Sequence, residues 1–285
     1  MKHFFVVARE DKKEILEFVQ KLTDYIEKRG GTCSYGINPD DALEEELDVP
    51  EDTQGILVAG GDGTVIRAAQ NIFGKNIPMI GINRGHLGYL CDLDDASVYD
   101  AIDAMMAGDY SIEERMMLSG HMVDAQGNAG KEIQALNDIV LCSSAGLQVM
   151  HVVVYVNGQY LYAYNCDGVI FATPTGSTAY NLSANGPIVN PMTNLILLTP
   201  INPHTLNARS IVLDPYDELV IEIESRREDG TEEAEISFDG NHKRLLHPGE
   251  KLVVHRAKET TKMIHLRDVS FLDRIRTKLQ ADDDD

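Results

Sequence analysis

Gly55 to Phe73 reads GILVAGGDGTVIRAAQNIF, and the change of pattern inside it decides how the amino-terminal third folds. Gly55 to Ala59 is a short apolar run suited to a buried strand, whereas Thr64 to Phe73 is helical in character. Between them, Gly60-Gly61-Asp62-Gly63-Thr64 must turn the chain from strand to helix. Three glycines without Cβ atoms let a phosphate chain approach the backbone, and the helix start offers unpaired N–H groups and a positive dipole end. Gly60, Gly61, Gly63 and Thr64 therefore read as a phosphate-binding loop, with Thr64 placed to cap the helix. Asp62 brings a carboxylate to the carboxyl edge of the sheet, where it could accept a proton from an attacking hydroxyl. The same five residues also suit a plain tight turn with Asp62 as a second cap.

Outward from this segment the alternation continues. Phe4 to Ala8 is an apolar strand, followed by Ile15, Val19, Leu22 and Ile26 at helical spacing and a stop at Gly30-Gly31. Ile77 to Ile82 is strand-like, and a helix from about Ala96 to Ala107 ends at Gly108. Strands alternating with helices predict an α/β domain on a parallel sheet, over residues 1–116. After Met116 strands dominate: His151 to Val156 and Gln159 to Tyr164 flank Asn157-Gly158, a dipeptide that tolerates the positive φ angles of a two-residue hairpin. Glu218 to Glu224, Glu235 to Phe238, Lys251 to His255 and Lys262 to Leu266 extend a β-rich domain over residues 117–266. Phe271 to Leu279 reads as a helical or irregular arm, and residues 267–285 are expected to pack back on the first domain.

The chain has 285 residues with 25 Lys plus Arg against 46 Asp plus Glu, a net charge of −21 that argues against nucleic acid and anionic membrane partners. Acidic runs at Glu44 to Glu46 and Asp282 to Asp285 read as solvated surface. The opening MKHFFVVARE has too short an apolar run for a secretory signal, and a cytoplasmic enzyme is expected. Four scattered cysteines, Cys33, Cys91, Cys142 and Cys166, form no Cys-x-x-Cys pair and suggest neither a zinc ribbon nor a disulfide framework. No Walker loop, G-x-G-x-x-G fingerprint, G-x-S-x-G elbow or H-E-x-x-H helix occurs, and the nine histidines read as surface or core residues rather than ligands.

Asp167 to Ser183, DGVIFATPTGSTAYNLS, takes a buried strand to a break at Pro174 and then into a hydroxyl-rich segment able to open a helix. Such hydroxyls suit ribose, an amide or a phosphate, and they equally suit a capped helix at Ser177 and Thr178. Asn137-Asp138 interrupts ALNDIVL with two short polar groups, as a sugar-hydroxyl clamp or a strand-end turn would. Asp239-Gly240 reads as a hairpin turn.

In this order GGDGT, NRGHLGYL (Asn83 to Leu90), LND, DGVIFATPTGSTAYNLSANGP and PHTLNAR (Pro203 to Arg209) closely resemble the NAD kinase family over most of the chain. GGDGT alone is shared with diacylglycerol and sphingosine kinases, whereas the TPTGSTAYNLS block is specific to NAD kinases. The resemblance implies a Rossmann-like amino-terminal domain, a β-rich carboxy-terminal domain, Mg²⁺ or another divalent cation, and a homo-oligomer, tetramer or dimer. It implies phosphoryl transfer from ATP, or from polyphosphate, to the 2′-hydroxyl of the adenosine ribose of NAD. It makes Asp62 the catalytic proton acceptor, with Gly63 beside the dinucleotide, Tyr89 near an adenine, and Asn137 and Asp138 on ribose hydroxyls. Asp167, Thr178, Ala179, Tyr180, Asn181, Leu182 and Ser183 would contact the dinucleotide, and Asn241 would stand where the family often has glutamine. Two positions depart from the pattern: Asn165, also in the expected binding set, stands for a frequent arginine, and Asn185 for a usual glycine before Gly186. A lipid kinase sharing GGDGT would need an apolar entry groove or a basic membrane face that this acidic chain does not advertise. A non-catalytic NAD(P)-binding module would not need Asp62 in an intact loop.

Overall fold

The computed structural model describes residues 1–9, 13–37, 47–84, 88–144, 149–205, 207–224, 232–266, 271–272 and 275–276. The chain forms two compact units, one of Met1–Glu114 with Lys262–Asp285 and one of Arg115–Thr261.

In the first unit the helix Lys13–Lys28 buries Phe18, Val19, Leu22 and Ile26, a spacing that keeps them on one stripe. It ends where Gly30 takes φ 78°, a left-handed value that suits glycine. The strands Thr32–Ile37, His3–Ala8, Gly55–Ala59 and Met79–Ile82 lie side by side in that order and pair in parallel. From His3–Ala8 the chain winds first to Thr32–Ile37 on one side and then to Gly55–Ala59 on the other. Connections therefore diverge between His3–Ala8 and Gly55–Ala59, and the carboxyl ends of strands at such a switch point leave a crevice suited to ligands. The GGDGT turn leaves Gly55–Ala59 at that end. The expected helix before Gly108 spans Val98–Ala107, with Gly108 at φ 85°.

One segment differs from its expected place. Lys262 to Leu266 was assigned to the β-rich domain, yet the strand Thr261–His265 joins the first sheet, where Met263 pairs in parallel with Met79. Met263 and Ile264 are buried there. A half-buried strand alternates in the same way whichever sheet receives it, so local pattern does not choose between sheets. The acidic runs and most of the carboxy-terminal arm lie outside the described residues.

The second unit pairs two six-stranded sheets, in which every strand pairing among the described residues is antiparallel. Their facing sides share one core: Val152, Val154, Ile221, Leu252 and Val254 come from one sheet, and Ile139, Leu141, Phe171, Leu198, Ile236 and Phe238 from the other. The other side of the second sheet is covered too. Val140, Ile170, Ala172, Leu197 and Ile201 pack with Ala184, Val189 and Leu195 from the segment that follows Pro174. Gly168–Ala172 is thus buried on both faces, which is why GVIFA is apolar throughout instead of alternating. The hairpin at Asn157-Gly158 forms as expected, with φ 51° and 74°.

Phe171 fills the centre of this core with no exposed surface. Phe171→Ala should cost about 3–5 kcal/mol in urea unfolding followed by circular dichroism; a cost below about 1 kcal/mol would mean that the sandwich is not packed around it.

Candidate active site

In the first unit the helix Asp62–Asn71 begins one residue after Gly61, and no side chain caps it. Thr64 is not the expected cap. It lies two positions inside the helix, buried, and its side chain fills the space that a Cβ at Gly60 would need. Among the described residues nothing stands where a Cβ at Gly61 would project, and at Gly63 the nearest neighbour is Arg67 Nη1 at 3.8 Å. The loop is therefore closed behind Gly60 and open along Gly61 and Gly63. Asp62 does not act as a second cap. Its Oδ2 accepts the Tyr89 N–H at 2.6 Å and its Oδ1 the Leu90 N–H at 3.0 Å. A Cβ at Gly88 would overlap that carboxylate, so a glycine is needed for the chain to pass so close. The two N–H groups orient the carboxylate and leave each oxygen a further lone pair. Arg84 beside this segment pairs with Asp95 at 3.4 Å.

In the second unit the organising group is Asp239. It sits at φ 52° in the turn between Ala234–Phe238 and Asn241–Leu246, with Gly240 at 73°. Asp239 Oδ2 accepts the N–H of Leu136 at 2.8 Å, and Oδ1 those of Asn137 and Asp138 at 2.7 and 3.0 Å. The opposite side of the same three residues is held as well. Thr173 Oγ1 donates to the Leu136 carbonyl at 2.6 Å, the Thr173 N–H donates to the Asn137 carbonyl at 2.8 Å, and Gly176 N–H donates to Thr173 Oγ1 at 3.0 Å. A Cβ at Gly176 would strike the Asn137 carbonyl. LND is thus clamped between a carboxylate and the start of the hydroxyl-rich segment. Among the described residues two buried polar atoms here, Asn137 Oδ1 and Thr175 Oγ1, have no hydrogen-bond partner, which leaves both able to bond a polar ligand.

The hydroxyl-rich segment forms a 3₁₀ turn, Thr175–Thr178, and a single helical turn, Tyr180–Ser183. Neither Ser177 nor Thr178 caps a helix. Ser177 Oγ bridges the Val189 carbonyl and N–H at 3.2 and 3.0 Å, and Thr178 Oγ1 donates to the Thr175 carbonyl at 3.4 Å. Asn181 is fully buried, and its amide is engaged by the protein. Nδ2 donates to the carbonyls of Ser177 and Pro187 at 3.0 and 3.1 Å, and Oδ1 accepts from Thr199 at 2.7 Å. Tyr180 and Ser183 are exposed, while Ala179 and Leu182 are half-buried. The departure at Asn185 has a backbone reason: it stands at φ 61°, where glycine is easiest and asparagine is tolerated.

Asp167 accepts from Asn202 Nδ2 at 3.0 Å, and Asn165 Oδ1 meets His151 Nδ1 at 2.9 Å. Asn241 Nδ2 donates to the Asp239 carbonyl at 3.4 Å. Burial raises the Tyr180 hydroxyl pKa, followed by Cys142, Asp138 and Asp167, so both carboxylates lie within electrostatic reach of that ring. Burial, with the Asp239 charge behind it, pushes Asp138 up to about 7. Sequence reasoning missed Asp239 as an organiser, together with Thr173 and Gly176. The one local signal was an aspartate placed before a hairpin glycine.

The chain matches the family model of the ATP-NAD kinase N-terminal domain over residues 48–110 and that of the ATP-NAD kinase C-terminal domain over 136–266. The NAD kinase of Agathobacter rectalis is 47% identical, with 98% of this chain and 99% of the relative covered. That of Lachnoclostridium phytofermentans is 35% identical over the same shares. Among solved structures, yeast NADH kinase complexed with NADH superposes with a TM-score of 0.80 at 22% identity, covering 98% of this chain and 88% of that one. An Archaeoglobus fulgidus NAD kinase in complex with ATP gives 0.78 at 21%, covering 98% of each chain. The two family models and these relatives place the chain in the class of kinases. It belongs to the NAD kinase family. Relatives that align end to end leave no support for the lipid-kinase reading.

The buried acid gives a test of the second unit. Folded Asp138 keeps its proton to about pH 7, whereas an unfolded aspartate loses it near the ordinary 3.8. The unfolded state therefore sheds its proton first, and stability falls as pH rises through that window and levels off above it. Urea unfolding from pH 4 to 8 should show this decline in the parent and a flatter curve in Asp138→Asn. Parallel curves would mean that Asp138 is not held protonated.

Proposed function

We propose that this chain transfers the terminal phosphoryl group of ATP to the 2′-hydroxyl of the adenosine ribose of NAD, forming NADP. The observation that carries the reading is the GGDGT turn at the sheet's switch point, open along Gly61 and Gly63, with an oriented carboxylate at the helix start. Backbone N–H groups of Gly61 and Gly63 offer the donor phosphates an anion cradle, while the Thr64 N–H is turned back to the Gly61 carbonyl at 2.9 Å. Asp62 takes the proton from the 2′-hydroxyl as its oxygen attacks phosphorus in line with the leaving phosphate. The archaeal neighbour holds ATP and the yeast neighbour holds NADH, which supports these two substrate classes. Inorganic polyphosphate remains open as a second donor.

Magnesium fits this chemistry, because phosphate oxygens and the Asp62 carboxylate are the hard oxygen ligands that it prefers. When bound it would neutralise phosphate charge. In the second unit Asn137 and Asp138 hold the ribose hydroxyls; the unpartnered Asn137 Oδ1 supports this assignment. Asp167 and Tyr180 line the dinucleotide, with Thr178, Ala179, Leu182, Ser183, Asn165 and Asn241 around it. Asn181 acts differently from the sequence expectation. With its amide bonded within the protein, it is a positioning residue for the Tyr180 turn. Tyr89 flanks an adenine, tied to Asp62 through its N–H.

Self-association is part of this reading. The edge strand Gln159–Cys166 exposes Tyr160 and Tyr162, and an uncovered aromatic edge favours pairing with another copy. Among the described residues no helix is long and apolar enough to cross a membrane. A cytoplasmic location agrees with the substrates.

Asp62→Asn should lower kcat by about 10²- to 10⁴-fold while NAD affinity changes little. Were Asp62 only the anchor of residues 88–90, the Asn amide would face an N–H, Tyr89 would come free, and NAD affinity would weaken while turnover at saturation held. Steady-state kinetics with a coupled dehydrogenase separates these outcomes. Tyr180→Ala should weaken NAD binding by about 10-fold or more in calorimetry, the loss of one aromatic contact; unchanged affinity in a folded variant would remove Tyr180 from the binding surface.

A further inference from the structure

The sandwich sheet that contains Leu118–Val123 and Lys251–Arg256 turns one side to the core and carries an unassigned cluster on the other. Register explains how the cluster assembles. His121 lies opposite Val253, Ser119 opposite His255, and Gly120 opposite Ile133, the first residue of the strand Ile133–Ala135. Because successive side chains alternate, Ser119, His121 and His255 share the face away from Leu118, Leu252 and Val254, which are core. Glu132 directly precedes Ile133 and meets them there. Its Oε1 is 3.9 Å from His121 Nδ1 and 3.1 Å from His255 Nε2, and the ligand atoms all lie within 4.8 Å of one another.

Three features separate this group from an ordinary surface ion pair. His255 Nδ1 lies 2.9 Å from the Arg256 carbonyl oxygen, which can only accept, so that nitrogen carries hydrogen. With Nδ1 so occupied, Nε2 is the nitrogen turned to the Glu132 carboxylate, and a proton or a metal cation between the two satisfies both. His121 Nδ1 is shielded from solvent and, among the described residues, has no hydrogen-bond partner. Glu132 Oε2 accepts from Ser119 Oγ at 2.8 Å, which fixes the carboxylate from behind. Outer hydrogen bonds of this kind, on a ring nitrogen and on a carboxylate, orient the ligands of metal sites.

We propose that His121 Nδ1, Glu132 Oε1 and His255 Nε2 bind a divalent transition cation, zinc foremost. Two imidazoles and a carboxylate form a donor set that suits zinc, whereas magnesium prefers oxygen ligands and would not compete. Ligands around an ion with bonds of about 2.0–2.2 Å stand roughly 3.3 Å apart, so small side-chain rotations close the site. Glu132 is half exposed, leaving a fourth position to water. The ion would staple three neighbouring strands, and proton competition at the imidazoles would weaken it in acid.

The test is calorimetric titration of the chelator-treated full chain with zinc chloride in excess magnesium. One equivalent should bind at micromolar affinity or tighter. His121→Gln, Glu132→Gln and His255→Gln should each weaken it by about 10-fold or more while NAD phosphorylation persists. Cobalt should give visible d–d absorption that the variants lose. No zinc uptake by the parent would overturn the site whatever the variants do, and unchanged affinity in folded variants would assign the ion to other ligands.

Discussion

The Asp239 carboxylate binds three consecutive backbone N–H groups, and the second unit's chemistry depends on that contact. Charge-assisted hydrogen bonds to a carboxylate are about twice as strong as neutral ones. Here they fix the chain from Leu136 to Asp138 where it enters the strand Asp138–Ser143. The arrangement has a cost. Burial first, and the neighbouring Asp239 charge second, raise Asp138 to about 7, a destabilisation that a structural turn would have no reason to keep. Thr173 and Gly176 then join the clamp to the segment bearing Tyr180, so the groups assigned to ribose and to the rest of the dinucleotide are set by one carboxylate.

Asp62 does in the first unit what Asp239 does in the second. Each carboxylate is held by backbone N–H groups from a distant stretch of chain, and at Asp62 it is Gly88 that permits the close approach. The parallel shows how short polar turns become precise: the side chain orders the backbone, and the backbone orients the side chain.

What was legible in the sequence was local. The GGDGT turn between strand and helix, the stops at Gly30 and Gly108 and the Asn157-Gly158 hairpin each follow from one residue type meeting one backbone need. What was not legible spans the chain. Asp239 reaches Asp138 across 101 positions, and its role is invisible in a dipeptide that also makes ordinary hairpins. Thr64 resembles a cap by type and is a packing residue by place, because the helix starts two residues earlier than its apolar pattern suggests. Asn181 lies in a segment rich in ligand-like groups, yet its amide is used within the fold. His121, Glu132 and His255 lack any sequence spacing that marks metal ligands, since strand register alone brings them together.

The return of Thr261–His265 to the first sheet affects the order in which the protein can be built. A ribosome releases Met1–Glu114 first, then the whole sandwich of Arg115–Thr261, and only afterwards the strand that pairs with Met79–Ile82. Until then only Cys91–Leu93 pairs with Gly81 and Ile82 on that side, and the unpaired backbone at the Met79 end is a template for the wrong partner. The antiparallel sandwich, contiguous in sequence, can close during synthesis. The first unit finishes last, after the unit that follows it.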